Sequence, residues 1–360
     1  MRLHTISFKD FRNLEDNVCS LGPNVNVIFG ENAQGKTNFL EAAYLCATGR
    51  SQRAAPDREM IRFEADEAHV QAMIAEDHAA ADQIDIHLRK AGKKSAAVNH
   101  EPVRRLGDLF GHLLTVVFSP EGLQLIKAGP GERRHFLDME LCQINPVYYY
   151  ELRQYYQILK QRNHLLKLIQ QKTEDRESLS VWDRQMADHG RRISVYRREF
   201  VERLNPLAAS MHSRITGGKE VLSVSYRPNV KGDDFEERLR RGWDRDIALG
   251  GASVGVHRDD LVFMIGLTDA RVYGSQGQQR TAALAAKLAE VSLIREYKGC
   301  DPVLLLDDVL SELDQSRQRF LLDSAGGIQT IITCTGAEDV IKQLPADTAV
   351  LRMAGGRLRT

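Results

Sequence analysis

Apolar and polar positions alternate with two different textures along the chain. Near the start, the short apolar run at residues 25–29 flows straight into a glycine-containing loop, and residues 37–48 then read as a helix closed by Gly49. Strand-like runs follow at 68–74, 83–90 and 113–118, with the polar, alanine-rich stretch 75–82 reading as a solvated hairpin connection. Ser119-Pro120-Glu121 has the form of a helix start, with serine as cap and proline in the first turn. Beyond Asn145-Pro146 the period becomes helical: Tyr148, Leu152, Tyr155, Leu159, Leu166 and Ile169 share one face. After a polar break at 171–178, Leu179, Trp182, Met186, His189, Ile193, Tyr196 and Phe200 repeat the pattern, which predicts a hairpin arm of two helices. His189 reads as a satisfied core histidine, and the aromatic stripe as core. Asn205-Pro206 and Gly217-Gly218 bound a further short helix. The first texture then returns: a helix over 278–297 before Gly299, an apolar strand at 303–306 and a buried strand at 330–333.

This order predicts an α/β fold, with residues 1–118 as the N-terminal part of a first α/β lobe. Residues 119–255 form a mainly helical second lobe with the arm, and 256–360 complete the first lobe. Composition narrows the setting. Lys+Arg and Asp+Glu both number 49 in 360 residues, so any nucleic-acid surface must come from local clustering. The five cysteines are scattered without a C-x-x-C pair, which favours a reduced compartment over a disulfide or zinc framework. No apolar run approaches the ~18 residues of a membrane span, and the N-terminus lacks a signal-peptide core, so the expectation is cytoplasmic.

The chemistry starts at Phe29-Gly30-Glu31-Asn32-Ala33-Gln34-Gly35-Lys36-Thr37. Its G-x-x-x-x-G-K-T spacing is that of a phosphate-binding loop, in which backbone N–H groups of residues 30–37 cradle the phosphates of a nucleoside triphosphate. Lys36 reaches the β- and γ-phosphate oxygens, and Thr37 offers a hydroxyl to Mg²⁺. The strand 303–306 ends in Asp307-Asp308; Asp307 is assigned to the metal and Asp308 to orienting or deprotonating the attacking water. A third element, Tyr273-Gly274-Ser275-Gln276-Gly277-Gln278-Gln279-Arg280, opens a helix with a second anion-binding start. One nucleotide has no use for two such cradles in one chain. Two chains arranged head to tail do, with Ser275, Gly277 and Gln278 of each closing over the other's γ-phosphate.

Taken together, FGENAQGKTN, YGSQGQQRTA and LLLDDVLSELD resemble the RecF family, relatives of the SMC-type ABC ATPases. Asp10-Phe11-Arg12-Asn13-Leu14, Phe118-Ser119-Pro120-Glu121, the block 131–138 and His257-Arg258-Asp259-Asp260 carry the resemblance over most of the chain. It implies an ABC-type ATPase head with a helical second lobe. It further implies ATP-dependent homodimerisation on DNA at single-strand gaps or junctions, and slow, DNA-stimulated hydrolysis that ends it. Cooperation with RecR and RecO in loading RecA and in SOS induction is implied as well. Carried over, Ser275 and Gly277 act in trans, Arg12 and Asn13 lie near the nucleotide with Arg53 a weaker candidate, and residues 311–314 face the partner. Val256 and Gly122 depart from the family pattern. Thr333-Cys334-Thr335 stands where many ABC ATPases have a histidine, so a hydroxyl is the expected γ-phosphate sensor.

The alternatives are the nucleotide-binding subunit of a transporter and a P-loop kinase. The long helical insertion speaks against the first, and the second has no use for the Ser275 helix or the Asp pair. For DNA, arginine pairs recur at 104–105, 133–134, 191–192, 197–198 and 240–241, and Arg184, Arg191 and Arg198 repeat every seven residues on the second arm helix. No aromatic-rich basic groove is legible, so sequence-independent backbone contact is expected.

Overall fold

The computed structural model describes residues 1–53, 56–75, 81–232, 234–336 and 344–359. It divides into two compact units: residues 1–124 with 283–360, and residues 125–282.

In the first unit the strands are β1 (Arg2–Lys9), β2 (Asn17–Ser20) and β3 (Val25–Phe29), followed by helix α1 (Lys36–Thr48). Next come β4 (Glu67–Ala75), β5 (Asp82–Arg89), β6 (Ser95–Val98), β7 (Glu101–Pro102) and β8 (Thr115–Phe118). Residues 76–80 of the anticipated hairpin connection lie outside the described residues. β1, β2 and β4–β7 form an antiparallel sheet in the order β2-β1-β4-β5-β6-β7. Along β4 buried and half-buried residues alternate, the period-two pattern of a sheet with one covered face.

In the second unit, α2 (Pro130–Ile144), α3 (Pro146–Gln170) and α4 (Leu179–Thr216) precede β9 (Leu222–Arg227), α5 (Phe235–Arg241) and α6 (Trp243–Leu249). β10 (Asp260–Ile265), β11 (Thr268–Asp269) and α7 (Ala270–Tyr273) follow, and the long helix α8 (Gln276–Lys298) begins here. β10 pairs antiparallel with β9, so residues 256–282, grouped with the C-terminal part in the sequence reading, pack in this unit.

The chain completes the first unit with β12 (Val303–Asp307), α9 (Gln315–Ser324), β13 (Thr330–Cys334), β14 (Ala349–Ala354) and β15 (Arg357–Arg359). These join β3 and β8 in a second sheet of order β15-β14-β3-β13-β12-β8, in which all but β15 run parallel. β12 and β13 are buried at every residue, as a strand covered on both faces must be. α1 packs against β4 and β5 of one sheet and β12 and β13 of the other, which explains why nearly all of it is buried.

The anticipated arm is present and longer than expected. Tyr148, Tyr155, Leu159 and Leu166 of α3 are buried, as are Met186, Ile193 and Phe200 of α4. The break 171–178 ends in a short 3₁₀ turn at Arg176–Ser178. His189 Nδ1 hydrogen-bonds to buried Glu151 at 2.5 Å, so it is a satisfied histidine. Two boundaries need correction. Asn205-Pro206 does not start a new helix: α4 runs through Pro206 for 38 residues. Proline removes one helical hydrogen bond, while packing of α4 on α3 and β9 holds the rest, and Asn205 uses its side-chain oxygen to accept from Val224 N–H at 2.7 Å. Likewise Ser119-Pro120 makes a tight turn, with Ser119 Oγ accepting from Gly122 N–H at 3.1 Å; the next α-helix waits for Gly129-Pro130.

The blocks around 131–138 and 257–260 turn out to be an ionic framework of the second unit. Arg133 donates to both oxygens of Asp260 at 2.7 and 3.0 Å, and Arg197, fully buried, bridges Asp138 and Asp259 at 2.7 Å each. Arg162, also buried, joins Asp183 and Asp246 at 2.6 and 2.7 Å. Arg133 and Arg197 therefore leave the set of DNA-contact candidates, because their charges are consumed inside the protein.

Candidate nucleotide site

The parallel sheet aligns three strand ends. Register pairs Asp307 of β12 with Thr333 of β13, and Thr333 with Ile28 of β3, so the loop after β3 and the acid at the end of β12 meet on one rim. This is the carboxyl-end crevice where open α/β sheets take ligands. A cleft of about 1020 Å³ opens there, bounded by Lys36 and Thr37 on one side, Asp307 and Asp308 on another, and Arg12 and Asn13 on a third.

The loop is tightly shaped. A Cβ on Gly30 would lie 2.2 Å from the Met353 carbonyl oxygen of β14, and Gly35 has φ 109° with Asn13 Oδ1 2.9 Å from where its Cβ would stand. Both glycines are thus required by close approach, and Gly35 also by its backbone angle. Lys36 is 7% exposed and donates from Nζ to the carbonyl oxygens of Gly30 and Glu31 at 2.7 and 2.8 Å. The Gln34 carbonyl accepts from Gly356 N–H at 3.0 Å, which ties the loop to the β14–β15 turn. Asn13 donates to the Ala33 carbonyl at 3.0 Å and accepts from Asn38 at 2.7 Å. Asn32, Ala33 and Gly35 line the cleft, whereas Gly30, Glu31 and Gln34 serve through their backbone carbonyls.

Where the sequence suggests a metal, Thr37 Oγ1 donates to Asp307 Oδ1 at 2.9 Å, and Thr333 donates to the same oxygen at 2.9 Å. Burial pushes the Asp307 carboxyl above its usual range, and these two hydroxyls offset only part of that. Asp308 turns into the left-handed region at φ 49° and is fixed through its N–H by the Thr333 carbonyl and hydroxyl at 3.2 and 3.0 Å. Burial raises its carboxyl too, against the pull of nearby Lys36. Thr333, fully buried and committed to Asp307, does not face the cleft as a free hydroxyl; Thr335 is the exposed one.

Arg12 lines the cleft because Glu41 holds it. Its guanidinium donates to both Glu41 oxygens at 3.0 and 2.9 Å and to the Glu59 carbonyl at 2.7 Å. Arg53 donates to Glu41 at 2.9 Å and to Asn38. Burial drives the Glu41 carboxyl up, but Arg12, Ser51 and Arg53 outweigh it and leave the group ionised below its usual range. The sequence reading missed Glu41, since an acid within an apolar helix shows its role only when two arginines converge on it. It missed Phe63 as well, an exposed ring on the cleft rim beside Lys90 and Arg58 that has no motif around it.

Ser275, Gly277 and Gln278 belong to the second unit. Ser275 Oγ accepts from Gln278 N–H at 3.2 Å and Gln278 Oε1 accepts from Ser275 N–H at 2.9 Å, a reciprocal cap at the start of α8. Gln278 Nε2 also donates to Glu220 at 2.7 Å. Ser275 is exposed, so the helix start is open to an incoming group.

The RecF/RecN/SMC N terminal domain family matches residues 2–352. A DNA replication and repair protein RecF from Agathobacter rectalis is 47% identical over 342 residues, 95% of this chain and 94% of that one. This chain belongs to the RecF family. A RecF from Lachnospira eligens is 44% identical over 360 residues, covering 99% of both chains. Among solved structures, one described as the recombination mediator protein RecF-ATP in the RecFOR pathway superposes with a TM-score of 0.92 at 34% identity, over 99% of this chain and 96% of that one. The Smc head bound to the C-winged helix domain of ScpA superposes with a TM-score of 0.59 at 15% identity, over 100% of this chain and 96% of that one, and shares the fold. The fold is therefore an ABC-type ATPase head with a helical second lobe.

Proposed function

We propose that this chain is an ATP-switched DNA-binding protein of recombinational repair, in which ATP closes a homodimer on DNA and slow hydrolysis reopens it. One observation carries the reading: the loop lysine, Thr37 and Asp307 converge on one rim, with Thr37 Oγ1 on Asp307 Oδ1 at 2.9 Å, beside a nucleotide-sized cleft. The relatives named for DNA repair, and the RecF-ATP structure of the RecFOR pathway, support the biological setting.

Lys36 gives up its two carbonyl partners to bind the β- and γ-phosphate oxygens, while the N–H groups of residues 30–37 at the start of α1 hold the phosphate chain. Thr37 and Asp307 offer two hard oxygen donors that would hold Mg²⁺, which would supply positive charge against the charge developing on the phosphates. Asp308 orients the attacking water. Arg12 and Asn13 steady the nucleotide beside the loop. Ser275, Gly277 and Gln278 of a second chain seal the γ-phosphate, and residues 311–314 face that chain. The dimer works with RecR and RecO in loading RecA at gaps and in SOS induction, in the cytoplasm. The long helical insertion of α3 and α4 speaks against a transporter subunit.

Size-exclusion chromatography with light scattering, run with ATP or ADP and with or without gapped DNA, tests this. A dimer that forms with ATP and persists on DNA is expected; a monomer under every condition refutes the switch.

A further inference from the structure

The outer face of α3 carries a feature the sequence reading discounted. The helix spans 25 residues, Pro146–Gln170, and contains one acid, Glu151. That carboxylate is 4% exposed and engaged by His189 and Arg192. The helix itself therefore places no acid on its solvent face. On it stand Arg153, Tyr156, Lys160, His164 and Lys167, each exposed. At ~100° per residue they fall within an arc of ~80°, and at a rise of ~1.5 Å per residue they cover about 21 Å. Tyr150 lies on the flank; it and Tyr156 are 43% and 42% exposed. Among the described residues Arg153, Lys160, His164 and Lys167 form no ion pair. The other cation of the helix, Arg162, is buried with Asp183 and Asp246 and shows the contrast.

A solvated charged face on a helix normally mixes signs, because i,i+4 pairs of opposite charge stabilise it and like charges cost. α4 does so, pairing Arg191 with Asp188 at 2.5 Å. The α3 face forgoes that stabilisation and leaves the ring of Tyr156, packed edge-to-face on buried Tyr155 and exposed on its outer side, between cations one turn away on each side. Unpaired cations at helical spacing suit consecutive phosphates, and an open ring between them suits a base that is free to stack. A duplex hides its base faces and has no use for the ring.

We propose that the α3 face, centred on Tyr156 with Arg153, Lys160 and Lys167, is a contact surface for single-stranded DNA. The strand's phosphates follow the cations, and a base stacks on Tyr156, with Tyr150 as a second platform. This rests on the reading of the chain as a DNA-binding protein and adds which strand form it touches and where.

The test uses the full-length protein with ATP and Mg²⁺, a fluorescein-labelled oligothymidylate and a blunt duplex of equal length, followed by anisotropy. Tyr150→Ser/Tyr156→Ser is expected to weaken oligothymidylate binding about 10- to 100-fold and to leave the duplex unchanged. Arg153→Gln/Lys160→Gln/Lys167→Gln is expected to lower the salt slope on the single strand by about 2, at ~0.7 per phosphate contact. Photocrosslinking of wild-type protein to iodouracil-substituted single strand, expected in the peptide around Tyr156, gives a readout that needs no variant. Unchanged oligothymidylate binding in the tyrosine variant overturns the proposal. So does an equal loss on the duplex, or crosslinks confined to other segments. If the wild type binds neither probe, the DNA-binding reading itself falls; if it binds and the variants match it, only the α3 assignment falls.

Discussion

Asp308 offers the sharpest separation of binding from chemistry, and Asp308→Asn is the perturbation to make. The residue sits at φ 49°, a left-handed conformation that asparagine tolerates nearly as well as aspartate. Its N–H bonds to Thr333 involve only the backbone and survive the change. The fold should therefore be indifferent, with a stability change within ~0.5 kcal/mol. Burial already raises the Asp308 carboxyl, so the amide removes an unfavourable desolvation, and Lys36 loses a nearby negative charge that competes with phosphate for it. ATP affinity is expected to hold or rise. What disappears is the group proposed to orient and deprotonate water, a contribution of ~10²–10⁴ in rate, or about 2.7–5.4 kcal/mol at ~1.36 kcal/mol per factor of ten. Asp308→Ala is the companion: it loses the same chemistry but also pays ~1 kcal/mol for a left-handed alanine. Single-turnover phosphate release measures the rate, light scattering with ATP measures the trapped dimer, and urea unfolding measures the cost of strain. Turnover in Asp308→Asn within about threefold of wild type, less than ~0.7 kcal/mol, refutes the role given to Asp308.

Three further outcomes are expected. Ser275→Arg fills the open start of α8 and should leave ATP binding by the monomer intact while blocking the ATP-dependent dimer; lost ATP binding in the monomer means that Ser275 acts in cis. Because burial holds the Asp307 proton more tightly than in the unfolded chain, protons compete with Mg²⁺ at higher pH than at an ordinary aspartate. Calorimetric Mg²⁺-ATP affinity should fall as pH falls toward that raised value, and Asp307→Asn should abolish the dependence; equal pH profiles for both contradict the assignment. His257 is neutral in the fold: its Nδ1 accepts from the Tyr155 hydroxyl at 2.8 Å, its Nε2–H donates to the Ala252 carbonyl at 3.1 Å, and burial lowers it to about 4. The unfolded chain then binds the extra proton first, so this stability is full above pH ~6.5 and drains as pH falls to about 4, by up to ~3 kcal/mol. His257→Asn should flatten that part of the urea-midpoint profile, and an unchanged slope counts against it.

Strands and helices with a strong local pattern were legible from the chain alone, because β3, β12 and β13 are short, mainly apolar runs and α3 and α4 repeat at helical spacing. β9, β10, β14 and β15 were not, since each becomes a strand only when a distant partner completes its hydrogen bonds. Pro206 shows the same limit: a local breaker lost to packing along α4. At the cleft, the loop spacing and the Asp pair pointed to Lys36, Thr37, Asp307 and Asp308 by residue type and order alone, and all four line it. Their convergence depends on the parallel register of β3, β13 and β12, and Glu41's grip on Arg12 and Arg53 depends on three segments meeting.

Charge was the least legible quantity. In the sequence an arginine pair is the same string whether its side chains meet phosphate or a buried carboxylate. Packing alone decided that Arg133, Arg162 and Arg197 are internal struts while Arg153, Lys160 and Lys167 stand unpaired on an acid-free helix face. The sequence by itself determined the nucleotide chemistry, because contiguous residues build that loop. Tertiary structure decided which charges remain available to a partner, because burial and pairing involve residues far apart in the chain.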